Sequence, residues 1–72
     1  MNRGDHLQWA KDRALQYVAV GDMNRAFASL GSDLNEHDEL RNHSGLTLGT
    51  MLLMAGKLGT AREMRKFIVG FN

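Results

Sequence analysis

The chain has 72 residues with no cysteine and no proline, and its formal net charge is +1. A chain this short forms one domain at most with a small core, and the lack of cysteine excludes disulfides and thiolate chemistry. The nearly neutral charge argues against binding nucleic acid by bulk electrostatics alone.

The sequence also argues against a membrane protein. Its longest uninterrupted apolar run, from Met51 to Ala55, is far shorter than the ~20 residues that a transmembrane helix needs. The segment MNRGDHLQW at the start of the chain lacks the apolar region of a secretory signal. We therefore expect a cytoplasmic protein in which residues 1–72 form a single helical domain.

Two helices are predicted in the first half of the chain, on either side of Gly21. Helix 1 follows Asp5, a suitable N-cap residue, with Gln8 as its capping-box partner. Helix 2 follows Asp22 as N-cap and contains Gly31 in its interior. Apolar residues at helical spacing predict the core-facing side of each helix. In helix 1 they are Leu7, Ala10, Ala14 and Val18, and in helix 2 they are Met23, Ala26, Phe27, Leu30 and Leu34.

Helix 3 is predicted from Ser44, its N-cap, to Ala55, after the polar connection NEHDELRNHSG. Gly56 ends it. Because this helix is apolar on every side, we expect it to be buried in the middle of the domain. Gly45 and Gly49 would let another backbone approach it closely.

Helix 4 is predicted to begin at a capping box formed by Thr60 and Glu63. Its apolar side comprises Ala61, Met64, Phe67, Ile68 and Phe71. The resulting fold is all-α, with four short helices packed as two αα-hairpins around helix 3. The segment RALQYVAVGDMNRAFASL resembles a tetratricopeptide repeat at four positions: Tyr17, Gly21, Asp22 and Ala26. A solenoid needs about three such repeats, so a compact four-helix packing is favoured.

A second resemblance covers most of the chain, to a group of small helical proteins encoded in phage and prophage genomes. It is carried by the segments GDHLQWAKDRALQYVAVGD, AFASLGSDL and MRKFIVGFN. That family has no assigned activity. The resemblance therefore implies a phage setting inside a host cell and no catalytic function. Gly31 and the segment HDELRNHSG depart from the family pattern, in which a bulkier residue and a proline are expected.

No constellation of residues predicts catalysis, a cofactor or a metal site. His37 and His43 flank Asp38 and Glu39, but structural zinc sites need four ligands, usually including cysteine. Serine chemistry needs a positioned base and an oxyanion hole, and Ser29 lies on the polar side of helix 2. We expect a solvated loop around the histidines and a protein that is not an enzyme.

Five residues are candidates for binding a partner. Trp9 lies off the core stripe of helix 1, close to Arg13, and Trp and Arg are enriched at binding hot spots. Alternatively, helix 1 is contacted on two sides and Trp9 packs under helix 4. On the outward side of helix 4, Arg62, Arg65 and Lys66 either are simply solvated or contact an acidic protein or phosphates.

These features favour a non-enzymatic protein-interaction module without cofactors. In a phage setting, it would bind a host or defence protein, with inhibition by occlusion as one outcome, or another phage protein. A homodimer is a further expectation, because the core is small. The alternative is a small helical nucleic-acid-binding or regulatory protein that uses helix 4. The acidic segment 33–39 would repel phosphate, which makes nucleic acid the less favoured partner.

Overall fold

The computed structural model describes residues 2–41 and 43–72, and over these residues the protein forms four α-helices and no strand. The helices are α1 (Arg3–Ala19), α2 (Met23–Asn35), α3 (Ser44–Met54) and α4 (Ala61–Val69). The predicted all-α fold of four short helices is therefore confirmed. Asn42, in the predicted polar connection, lies outside the described residues.

Two glycines end α1 and α3, as predicted. Gly21 and Gly56 have φ angles of 83° and 76°, in the left-handed region that disfavours residues with a Cβ atom. In each turn, the N–H of the glycine and the N–H of the next residue donate to carbonyl groups of the last helical turn. This double hydrogen bond is the Schellman motif, and it satisfies carbonyls that the helix end leaves free.

The N-caps of α2 and α4 also agree with the sequence. The carboxylate of Asp22 accepts a hydrogen bond from the N–H of Arg25 at 3.0 Å. The hydroxyl of Thr60 accepts one from the N–H of Glu63 at 3.2 Å. These side chains satisfy N–H groups that lack a partner inside the helix.

The predicted N-caps of α1 and α3 are wrong by one to three positions. α1 starts before Asp5, because the side chain of Asn2 accepts a hydrogen bond from the Asp5 N–H at 2.8 Å. α3 is capped by His43 rather than Ser44, with Nδ1 accepting from the Gly45 N–H at 2.9 Å. Histidine is not among the residues preferred at this position, so this N-cap could not be predicted from the residue type.

α1 is the element against which both α2 and α4 pack. The apolar stripes predicted for these three helices form the core, with the residues at the edges of the α2 and α4 stripes half-buried. The fully or nearly fully buried apolar residues are Leu7, Ala10, Ala14, Val18, Ala26, Leu30, Leu34, Leu40, Leu58, Met64, Ile68 and Phe71.

The connection between α2 and α3 is not wholly polar. Leu40 is completely buried in it. Its N–H donates to the His37 carbonyl at 3.0 Å, and its own carbonyl accepts from the His43 N–H at 3.3 Å. The connection is therefore a series of turns that folds one leucine into the core.

α3 is not the central buried helix that its apolar surface predicted. Its large apolar side chains are mostly exposed at three positions: Leu48 (54%), Met51 (64%) and Met54 (83%). The side that faces the core carries the glycines together with the half-buried Leu46, Leu52 and Leu53. A Cβ atom added at Gly49 would lie 2.5 Å from a ring carbon of Phe27 and 2.6 Å from one of Phe67. Aromatic rings, rather than another backbone, occupy the space beside the glycine.

The residues after α4 are held from two sides. Lys11 donates from Nζ to the carbonyls of Val69 and Phe71 at 2.9 and 3.0 Å, a favourable place for a cation at a helix C-terminus. His43 donates from Nε2 to the carbonyl of Asn72, and its ring lies 4.6 Å from that of Phe71. Within the described part of the chain, no helix has the length and hydropathy needed to cross a bilayer.

Candidate protein-binding surface

Trp9 is half-buried against the core, and its neighbours on α1, His6 and Arg13, both contact Asp33 of α2. Its ring centroid lies 5.1 Å from that of His6, and the guanidinium carbon of Arg13 lies 5.1 Å from the centre of the Trp9 ring. The predicted proximity of Trp9 and Arg13 is confirmed. Both neighbours belong to α1 itself, so these contacts do not place Trp9 under α4.

Arg13 also forms an ion pair across the α1–α2 interface. Its Nε lies 2.8 Å from a carboxylate oxygen of Asp33, whose side chain is only 7% exposed. The main-chain carbonyl of Asp33 accepts a hydrogen bond from Nε2 of His6, which is buried as well. The acidic segment 33–39 is therefore divided: Asp33 lies inside the interface, whereas the acidic residues 36, 38 and 39 are exposed.

We predict that Arg13→Ala lowers the free energy of unfolding by about 1–3 kcal/mol, because it leaves a buried carboxylate without its charged partner. The matched change Arg65→Ala, at an exposed position, is expected to change it by less than about 0.5 kcal/mol. Urea denaturation of both variants measures the difference. Equal stability of the two variants would show that the Arg13–Asp33 pair contributes nothing to the fold.

Arg62, Arg65 and Lys66 lie exposed on the outward side of α4, as the sequence predicts. Among residues 2–41 and 43–72, none of the three forms an ion pair. No hydrogen bond, ion pair or ring contact in that part of the chain joins them to Trp9 or Arg13. The five predicted binding residues therefore form two separate groups.

A groove of about 430 Å³ lies between the start of α3 and the end of α4. Leu48 and Lys66 lie on it with the rings of Phe67 and Phe71, and Gly45 forms part of its wall. The groove is thus mainly aromatic and aliphatic with one cation at its edge. The groove was not predicted from the sequence, because it is formed by residues from two helices.

The exposed apolar residues of α3 continue from this groove along the helix. Leu48, Met51 and Met54 are spaced three residues apart, so they lie along one side of α3. We call these three residues the α3 stripe. A contiguous exposed apolar surface is typical of an interaction site, and methionine side chains adapt to irregular partner surfaces. Gly45 and Gly49 distinguish one side of α3 in the sequence, but their spacing does not show that this side packs against the core.

The residues near the groove offer little for catalysis. Ser44 is next to His43, but Nδ1 of His43 accepts the Gly45 N–H and Nε2 donates to the Asn72 carbonyl. Neither nitrogen is left to act as a base for the serine. Over the described ranges 2–41 and 43–72, no group of three or more His, Asp or Glu side chains is placed to hold a metal ion. What the surface offers is apolar area and positive charge.

Comparisons with protein-family models, with curated proteins and with solved structures find no match to this chain.

Proposed function

We propose that the protein is a non-enzymatic protein-interaction module that binds its partner through the α3 stripe. The observation that carries the proposal is the exposure of Leu48, Met51 and Met54 along one side of a helix. A chain of this size has little apolar surface to spare from its own core. Covering the stripe with a partner removes that apolar surface from water, which favours association.

The similarity to small phage and prophage proteins supports a role as a phage accessory protein in the host cytoplasm. Its partner would be a host or defence protein, or another phage protein. Binding alone is enough to inhibit a partner when the bound domain covers a functional surface. Such occlusion requires a surface that is complementary to the partner in shape and charge, and it requires no catalytic group. The α3 stripe, the groove and the cations of α4 provide apolar area and charge for it.

The predicted binding residues divide between two roles in this proposal. Arg62, Arg65 and Lys66 are exposed on α4, and Lys66 lines the groove beside Leu48. Exposed cations at the edge of an interface mainly raise the association rate with an acidic partner. Trp9 and Arg13 lie on the α1–α2 side, so their contribution to binding would require a second contact surface.

We predict that the double variant Met51→Ser/Met54→Ser loses its partner while keeping its fold. Both side chains are mainly exposed, so their replacement is expected to change stability by less than about 0.5 kcal/mol each. Affinity capture from phage-infected cells, followed by mass spectrometry and by binding to the purified partner, measures the loss. Val20→Ser is the matched control, because Val20 is 76% exposed but lies at the end of α1, outside the stripe.

Two further variants separate the alternatives within this experiment. Trp9→Ala could lose the partner while the double methionine variant keeps it. In that case the surface of α1 around Trp9 is the binding site, and the α3 stripe is not. Sedimentation of the same variants tests the predicted homodimer. If the wild type dimerises and the double variant does not, the stripe serves a second copy.

The exposed cations of α4 favour one second candidate, a nucleic-acid-binding protein. Three phosphate contacts would give a log–log salt slope near −3 on duplex DNA. That slope corresponds to weak binding at cellular salt, and the exposed acidic residues 36, 38 and 39 oppose it further. Tight, steeply salt-dependent binding to bare DNA or RNA that persists in Met51→Ser/Met54→Ser would favour this candidate over the protein partner.

A further inference from the structure

The half of the chain that carries the α3 stripe is strongly basic. Residues 43–72 contain four Lys or Arg residues and one acidic residue, Glu63, which gives a net charge of +3. Glu63 lies in the first turn of α4, and its carboxylate accepts a hydrogen bond from the Thr60 hydroxyl at 3.0 Å. Within residues 43–72, the charged side chains that accompany the apolar stripe are therefore almost all positive.

The ring contacts of two glycines show the relative direction of α3 and of the segment that ends α4. Gly45 lies against the ring of Phe71, and Gly49 lies against that of Phe67. A step of four residues forward along α3 thus matches a step of four residues back along the chain, from Phe71 after α4 to Phe67 within it. If this antiparallel direction continues for one more turn of α4, Arg62 would lie level with the C-terminal end of α3, as Lys66 lies beside Leu48.

We propose that this surface binds an acidic amphipathic helix of the partner protein. This inference rests on the proposed function and specifies the chemical character of the partner. The apolar side of that helix lies on the α3 stripe, with one side chain in the groove beside Leu48. Carboxylates on either side of that apolar face form ion pairs with Lys66 and with Arg62, one turn apart on α4. Recognition of an amphipathic helix by an apolar groove with complementary charge is a recurrent mode of protein binding.

Other occupants fit the surface less well. A second copy bound through the same face would bring the exposed cations of both α4 helices together, and like charges across an interface oppose association. Nucleic acid phosphates match the cations but leave the α3 stripe exposed to water. A flat anionic bilayer matches both, but it does not use the groove of about 430 Å³ as a helix side chain does.

The test is a selection from a displayed library of helical peptides of about 16 residues, a little over four helical turns. The inner positions, on the side of the peptide helix that would face the α3 stripe, vary among apolar residues. The outer positions, which flank that side, vary among Glu, Lys and Ser. Against the intact wild-type protein, we expect selected peptides to carry Glu at the outer positions. When outer Glu residues are exchanged for Lys in a selected peptide, affinity should fall at least about tenfold, measured by fluorescence anisotropy.

Two protein variants identify the groups responsible. Arg62→Ser/Lys66→Ser should abolish the preference for Glu over Lys while keeping part of the binding. Arg25→Ser, a change at an exposed cation on α2, should leave the preference unchanged. Met51→Ser/Met54→Ser should remove binding of both peptides.

The inference is overturned if no peptide is enriched, or if enriched peptides carry neutral or basic outer positions. It is also overturned if the preference for Glu survives Arg62→Ser/Lys66→Ser, or if anionic vesicles or duplex DNA bind more tightly than the selected peptides. These results leave the proposed function standing as long as Met51→Ser/Met54→Ser still loses the partner captured from infected cells. If the double variant keeps that partner, the proposed function fails independently of the peptide result.

Discussion

Replacing Leu40 by alanine is expected to lower the free energy of unfolding by about 2–5 kcal/mol. Leu40 is fully buried although it lies in a connection between helices, so its removal leaves a cavity that the short turns around it cannot readily fill. A domain of this size has little stability in reserve, and the variant is expected to be largely unfolded near 37 °C. Thermal and urea denaturation followed by circular dichroism measure the effect.

Leu48→Ala is the matched control for this prediction. The chemical change is the same, but Leu48 is 54% exposed on α3, so the expected loss is less than about 1 kcal/mol. The pair of variants therefore tests which leucine belongs to the core. A stable Leu40→Ala protein together with a strongly destabilised Leu48→Ala protein would restore α3 to the buried position that its sequence suggested.

Gly49→Ala is expected to destabilise the protein by up to about 2 kcal/mol. Alanine is favoured over glycine in a helix by about 1 kcal/mol, but the new methyl group meets the rings of Phe27 and Phe67 at 2.5 and 2.6 Å. Those rings are packed in their turn, since Phe67 also contacts Phe71 edge-on at a centroid distance of 5.7 Å. Forcing them apart costs about 1–3 kcal/mol, which exceeds the gain in helix propensity.

Gly31→Ala provides the opposite expectation at another glycine inside a helix. A Cβ atom there would make only an ordinary contact, at 3.9 Å from Leu46, so we expect stabilisation by up to about 1 kcal/mol. For a chain of this length, each kcal/mol shifts the melting temperature by about 4–8 °C. The two alanine variants should thus melt on opposite sides of the wild type. A Gly49→Ala protein that melts above the wild type would show that the rings do not pack against α3.

Part of the candidate site could be predicted from the sequence. The cations of α4 were placed on its outward side because their spacing relative to Met64 and Ile68 defines that side. Arg13 was placed beside Trp9 because residues four apart on a helix are neighbours. The partner of Arg13, Asp33, was not predicted, since the two are far apart in the chain and only the packing of α1 against α2 brings them together.

The α3 stripe was missed for a different reason. An amphipathic helix shows by its pattern which side faces the core, but α3 is apolar around most of its surface and has no such direction. Hydrophobicity alone therefore predicted complete burial. The side that packs is chosen by fit: Gly45 and Gly49 make room for three phenylalanine rings, while Leu48, Met51 and Met54 remain outside.

The sequence by itself determined the four helices, their glycine stops at Gly21 and Gly56, two of the four N-caps, and the buried sides of α1, α2 and α4. Each of these depends on hydrogen bonds and side-chain spacing within a few residues of the chain. Only the tertiary structure decided the orientation of α3, the burial of Leu40, the Arg13–Asp33 pair and the separation of Trp9 from the cations of α4. These depend on distances between segments remote in sequence, which the size and shape of the packed side chains set and which no local pattern encodes.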